Sequence, residues 1–189
     1  MKRNYTPWII GGIILLLVLL VIGSYNGLVG KRNAVDSAWA DVEAQYQRRM
    51  DLIPNLVSTV KGYAAHEEDL FTEITQLRSQ WQTASASGDT AGAITAAQGT
   101  DSALARLLVV AEAYPDLKAS TNFLALQDEL AGTENRVAVA RTRFNDAVKT
   151  YNTAIQTFPR NILAGMFGFE PKTFFAATAG SENAPQVTF

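Results

Sequence analysis

Residues 8 to 22 read WIIGGIILLLVLLVI, and no charged side chain interrupts the chain from Thr6 to Gly30. Such a run restricts what the chain can become. About 20 apolar residues are needed to cross a bilayer as a helix, and Trp8 to Val29 supplies that length once Ser24, Tyr25 and Asn26 are taken as interfacial. Trp8 and Tyr25 stand near the two ends, where amphipathic rings prefer to lie. The expected organisation starts from this anchor at residues 8–29, preceded by a short basic tail at 1–7. The competing reading is a cleaved signal peptide behind Lys2 and Arg3. Val21-Ile22-Gly23 makes a poor cleavage site, and helical patterning continues beyond it, so the anchor reading is preferred. Lys2 and Arg3 on one flank nearly balance Lys31 and Arg32 on the other. The basic tail leans toward a cytoplasmic N-terminus, with the bulk of the protein exported from a cell (inner) membrane.

Beyond the anchor the period changes. Val35, Trp39, Val42, Tyr46, Arg49, Ile53, Leu56, Val60 and Tyr63 recur in alternating steps of four and three, the spacing of helix packed on helix. This pattern predicts a helix from about Gly27 to Lys61, roughly 50 Å long at 1.5 Å per residue. Two of its members are unusual. Arg49 puts a charge into the seam, and Pro54 removes a backbone donor and kinks the helix. Three more stripes follow: Leu70, Ile74, Leu77 and Trp81; then Ile94, Ala97, Asp101, Leu104, Leu108 and Ala111; then a long one from Phe123 through Leu130, Thr133, Val137, Phe144, Val148, Tyr151 and Ile155 to Phe158. SASGDTAG (85–92) separates the second from the third as a turn, with Asp89 as an N-cap. Tyr114-Pro115 ends the third stripe and Pro159 the fourth. Short links favour antiparallel neighbours. The predicted fold class is all-α: an N-terminal transmembrane helix followed by an antiparallel up-and-down four-helix bundle over residues 30–160. Helix four returns toward the membrane. The apolar segment at 161–179 is therefore expected at the membrane-proximal end, packed under the bundle or in the lipid interface, and 180–189 as a disordered tail.

At this point the sequence resembles the LemA family. The words that carry the likeness are YNGLV (25–29), AWADVEAQYQRRMDLIPNLV (38–57), VKGYAAHE (60–67), YPDLKA (114–119), LQDELAGTENRVAVARTRFNDAV (126–148), YN (151–152) and GFEPKTFF (168–175). The resemblance implies a bacterial membrane protein with one N-terminal transmembrane helix and a soluble helical bundle. It brings no established reaction. Relatives are associated with membrane organisation, including organelle formation in magnetic bacteria, and with membrane-protease neighbourhoods.

Chemistry is sparse in the residues. The chain has no cysteine, which removes thiolate catalysis and Cys-ligated zinc. A net charge of −2 argues against nucleic acid as a partner. His66 is the lone histidine; HEED at 66–69 lacks the second His of a zinc protease motif. One imidazole cannot activate the many Ser and Thr hydroxyls. Paired carboxylates, such as Glu43 with Glu134, are not selected by any pattern. GSYNGLVG lacks the Lys-Ser/Thr end of a phosphate loop. No catalytic, metal-binding or cofactor-binding residue is assigned, and no cofactor.

The candidates that remain are structural or interaction residues. Arg49 must be paired or must snorkel, with Glu134 and Asp128 as partners. It reads first as a register-fixing contact and second as a site for an anionic group. Pro54 reads as curvature. Asn145 and Asn152 share a face and are expected to hydrogen-bond between helices or to face a partner. Trp39 and Tyr46 are the large aromatics of the first seam. The leading function is a non-enzymatic scaffold or protein-interaction module on a single-pass anchor, touching lipid through residues 8–29 and binding an unidentified protein partner. Gly11-Gly12 would suit a homo-oligomer. The alternatives are an adaptor or regulator of a membrane protease or signalling system, and, behind it, an unrecognised hydrolase.

Overall fold

In the computed structural model, which describes residues 6–64 and 66–175, the ordered elements are helices: α1 Thr6–Lys61, α2 Glu68–Ser87, α3 Thr90–Glu112, α4 Pro115–Lys118, α5 Thr121–Gln156 and α6 Arg160–Phe167. No strand occurs among the described residues. The anchor and the first bundle helix are one unbroken helix, where the seam reading began a helix near Gly27. No residue between them demands a break: Gly23, Gly27 and Gly30 lie in helical backbone. Trp8 to Ile22 expose their apolar side chains, Trp8 to 82%, so this stretch of α1 is long and apolar enough to cross a membrane and is uncovered by protein. The basic tail's first residues and the tail expected at 180–189 lie outside the described residues.

Two compact units form, Met1–Trp39 with Phe144–Lys172 and Ala40–Arg143 with Thr173–Phe189. In the second, cross-helix contacts fix the directions. Ser85 donates to Glu43, and Arg78 Nε donates to the Met50 carbonyl oxygen at 3.1 Å, so α2 runs antiparallel to α1. Arg106 pairs with Glu73 on the descending α2. Gly88, at φ 73°, supplies the left-handed residue that ends α2. Asp89 caps α3, its carboxylate accepting from the Gly92 N–H at 2.9 Å. Gly99 marks a close approach, since a Cβ there would lie 2.6 Å from Leu77 Cδ2. The core of this unit is apolar and rich in alanine on α3, with Ala93, Ala97, Ala103, Leu104 and Leu107 buried.

Three expectations need correcting at helix ends. Tyr63 lies past the end of α1 and is 46% exposed. Phe158 lies past the end of α5 and is 76% exposed. Both fit the heptad count, but the backbone stops being helical before it reaches them. A four-residue helix, α4, with Pro115 at its first turn, fills the link after α3. In the first unit Leu28, Val35, Phe144, Val148 and Tyr151 are buried, and Trp39 packs against Phe144 with centroids 5.3 Å apart, half-buried itself.

Pro54 lies in α1 with its ring exposed. Lacking an N–H, it leaves the carbonyl of Met50 without its i+4 helical donor. Met50 is fully buried, where an unpaired carbonyl is costly. Arg78 of α2 supplies the missing donor. We predict that Arg78→Leu destabilises the protein by about 1–3 kcal/mol, the cost of an unsatisfied buried acceptor. In a Pro54→Ala background, where the helical N–H returns, the same substitution should cost clearly less. Chemical denaturation of the four members of this cycle reads the coupling; equal costs in both backgrounds would disprove the compensation.

Candidate functional site

The interior of the second unit holds one concentration of charge. Arg49, 4% exposed, enters from α1 because its seam position points it at α3 and α5. One guanidinium nitrogen donates to Asp101 Oδ1, and the other to Glu134 Oε2. Arg141 of α5 donates to Asp101 Oδ2 and to the Tyr46 hydroxyl oxygen. The Tyr46 hydroxyl itself donates to Asp101 Oδ2 at 2.9 Å. Two cations face two carboxylates, with Asp101 shared between the arginines. Asp101 and Arg141 are each 20% exposed at the side chain, while Glu134, at 56%, reaches solvent.

Electrostatics follow from this arrangement. Burial alone would lower the Arg49 pKa, but Asp101 and Glu134 outweigh it and raise the value. Burial, followed by the Asp101 charge, pushes the Tyr46 hydroxyl far above its ordinary range. It stays protonated, a fixed donor. Aromatic rings line the other side: Tyr46 and Phe175 stack in parallel planes with centroids 6.0 Å apart, and the Arg141 guanidinium carbon lies 4.7 Å from the Phe175 centroid and 5.4 Å from that of Tyr46.

A cleft of about 260 Å³ opens beside the cluster, with Arg49, Asp101 and Glu134 at one end and Leu104, Leu108 and Leu130 among its apolar walls. Arg49 Nε and Arg141 Nε are buried without a hydrogen-bond partner among the described residues. His66 is exposed in the link after α1 and lines no part of the cleft. Glu43 bonds Ser85 and Glu134 bonds Arg49, so the two acids serve separate partners. No group of three or more metal-ligating side chains occurs among the described residues.

The sequence-level candidates are thus distributed. Arg49, Tyr46 and Glu134 meet in one cluster. Asp128 is exposed on α5 and takes no part. Asp101, the shared carboxylate, and Arg141 were not singled out from the sequence, although Asp101 stood in the third apolar stripe as Arg49 stood in the first. Asn152 belongs to the other unit and bonds no helix there. Its amide donates to the Lys172 carbonyl oxygen at 2.8 Å and its oxygen accepts from the Lys172 N–H at 2.9 Å. The Tyr151 hydroxyl donates to the Glu170 carbonyl oxygen at 3.0 Å. Together they hold the extended segment after α6. Asn145, one heptad earlier, is half-buried. Pro54 is a scaffold residue through its effect on Met50.

A second feature is at the surface. Arg48 pairs with Glu129, its Nε at 3.0 Å, and Arg49, Arg78, Arg106 and Arg141 are each bound to a carboxylate or carbonyl as described. Arg136 and Arg143 of α5 are exposed and form no ion pair with a described residue. They lie seven residues apart on one helix face, with Val139, 51% exposed, between them. Asp41 and Gln45 of α1 and Asn135 complete a shallow groove of about 400 Å³.

A family model described as "LemA family" matches residues 38–189. Among curated proteins, the magnetosome protein MamQ of Magnetospirillum gryphiswaldense is 27% identical over 174 residues, covering 80% of this chain and 64% of the relative. Magnetosome protein MamQ 2 of Paramagnetospirillum magneticum gives the same figures. Protein LemA of Metamycoplasma hominis is 27% identical over 143 residues, covering 76% of this chain and 64% of that protein. The chain therefore spans just under two thirds of the length of these relatives.

The charge cluster predicts an asymmetry. Asp101→Leu strips the shared carboxylate from the buried Arg49 and the half-buried Arg141 and should cost about 3–5 kcal/mol. Arg49→Met leaves Asp101 paired with Arg141 and Glu134 solvated, and should cost under about 1 kcal/mol. Urea denaturation of both variants checks the order; similar losses would mean that Asp101 is not the hub.

Proposed function

We propose that this chain, which belongs to the LemA family and is a membrane-associated helical protein, acts without catalysis as an anchored module that binds a protein partner. Residues 8–29 sit in the inner membrane, the N-terminus is cytoplasmic and the bundle is exported. One observation carries the interaction reading. Every other arginine of the second unit is bound to a carboxylate or a carbonyl, while Arg136 and Arg143, around a half-exposed valine, form no ion pair with a described residue. An apolar centre inside a polar, arginine-containing rim is the anatomy of a protein interface. Free cations select an acidic partner and speed its arrival.

The non-enzymatic part draws support from the interior cluster. Its charges are matched two against two, and its hydroxyl is held protonated. A general base must offer a free lone pair near its operating pH; neither arginine nor this tyrosine does, and both carboxylates are engaged by guanidinium groups.

The test is charge reversal in the full-length chain. Arg136→Glu with Arg143→Glu touches only exposed side chains, so helicity and melting should be unchanged. A photo-crosslinker at Val139 in intact cells should capture one protein partner from the parent chain and lose it, several-fold, in the double variant. Equal capture by both chains, or crosslinks to lipid alone, would overturn the assignment.

A further inference from the structure

We infer that α6, with the residues just before it, is a second membrane contact that lies in the headgroup zone of the same bilayer the anchor crosses. Depth comes first. A hydrocarbon core of ~30 Å spans about 20 helical residues at 1.5 Å each. Counted from Trp8, the most exposed ring of α1, that length ends near Tyr25 to Gly27. Protein cover begins at the same level: Ser24 is half-buried and Leu28 is fully buried. Tyr25 is therefore an interfacial residue. Its ring packs edge-on to Phe167, the last residue of α6, at 5.0 Å, and to Phe169 at 5.8 Å. Those contacts put the C-terminal end of α6 at the depth of the interface.

The surface of α6 fits that depth. Ala164 is buried and Leu163 half-buried. Ile162 and Met166, one turn apart, are 55% and 72% exposed, and Phe167 is 49% exposed. Phe158, just ahead of the helix, is 76% exposed. Four largely exposed apolar side chains within ten residues are more than scattered surface hydrophobics, a feature that marks a binding surface. Only one charge lies on α6, the exposed Arg160 at its start, and no acid does. A single long basic side chain with an apolar face and no acid is the composition of an interfacial helix, whose cation stays among the headgroups. Arg32 adds a second cation at this level, held over the Phe169 ring at 5.5 Å. The occupant is identified by continuity: the uncovered apolar surface of the anchor and that of α6 meet at Tyr25.

The Asn152 and Tyr151 hydrogen bonds to the segment after α6 acquire a purpose here. Glu170 and Lys172 are gripped through their backbone, so α6 is tethered on both sides, by α5 before it and by this clamp after it. A tethered helix has less freedom to lose on entering the interface.

The absence of cysteine from the chain makes the test direct. Single substitutions Ile162→Cys and Met166→Cys carry a nitroxide label in the full-length protein, reconstituted in phosphatidylcholine–phosphatidylglycerol vesicles. Leu17→Cys, in the anchor, gives the lipid reference, and Val109→Cys, 69% exposed on α3, the aqueous one. Collision with oxygen and with a water-soluble nickel chelate is then compared. The expected result is an oxygen-to-nickel ratio at 162 and 166 several-fold above that at 109 and below that at 17. A ratio equal to the aqueous reference would overturn the inference. Exclusion of both reagents would overturn it too, because it would mean that a second copy of the chain covers the patch.

Discussion

The sharing of one carboxylate between the buried Arg49 and the half-buried Arg141 constrains the second unit more than any apolar contact does. Taking a guanidinium out of water costs several kcal/mol, and only well-placed carboxylates offset it. Arg49 comes from α1, Asp101 from α3 and Arg141 from α5. The three helices must therefore be in axial register for the charges to meet. Sliding any helix by one turn, about 5.4 Å, would leave a buried charge unpaired. Apolar seams built from alternating steps tolerate such a slip far better, because one leucine replaces another. Tyr46 adds to the restriction, since its hydroxyl both donates to Asp101 and accepts from Arg141. Parallel stacking of Tyr46 on Phe175 then ties the end of the extended segment to the same point.

Backbone polar groups set a second constraint, and side chains far away in sequence meet it. Pro54 leaves the Met50 carbonyl without its helical partner, and Arg78 of α2 reaches it. The segment after α6 has no strand to pair with. Asn152 instead presents an amide that matches one residue's backbone donor and acceptor, much as a neighbouring strand would. In both places a polar side chain from a helix does for the backbone what regular structure fails to do.

These facts separate what a reader of the sequence can see from what is hidden. The apolar run at 8–22 and the steps of three and four are local signals, and they give the anchor, the helices and most of the buried positions. Helix ends are less visible, because a heptad count does not record where the backbone stops; Tyr63 and Phe158 both keep the period after the helix has ended. Pairings are harder still. Asp101 sits in an apolar stripe just as Arg49 does, and two opposite charges in two seams were a readable sign that they meet. Asp128 is an acid on the same helix as Glu134, yet it is exposed, since six residues at 3.6 per turn put it about 120° around α5 from the acid that meets Arg49. Arg78 could not be found this way. Pro54 announces a missing donor, but no local pattern says which side chain will replace it. The sequence leaves Asn152 between a contact with another helix and a contact with a partner, because the segment it bonds has no period to reveal it.

The distribution of charge also separates stability from recognition. Where Arg48, Arg106 and the interior pair meet acids, the positive charge is spent within the fold. Exposed pairs of this kind add little to stability, on the order of 0–1 kcal/mol each, but they cancel the field that would otherwise draw in partners. Arg136 and Arg143 form no ion pair with a described residue, and with two cations against Asp41 their groove keeps a net positive charge beside Val139. In a chain with a net charge of −2, a local positive face is not a consequence of composition; it arises from which arginines the fold leaves unpaired. The same selectivity appears at α6, where acids are missing from the helix although acids outnumber bases over the chain. Charges paired in the interior hold the register of the helices, whereas Arg136, Arg143 and Arg160 form no ion pair with a described residue and are free to meet something else.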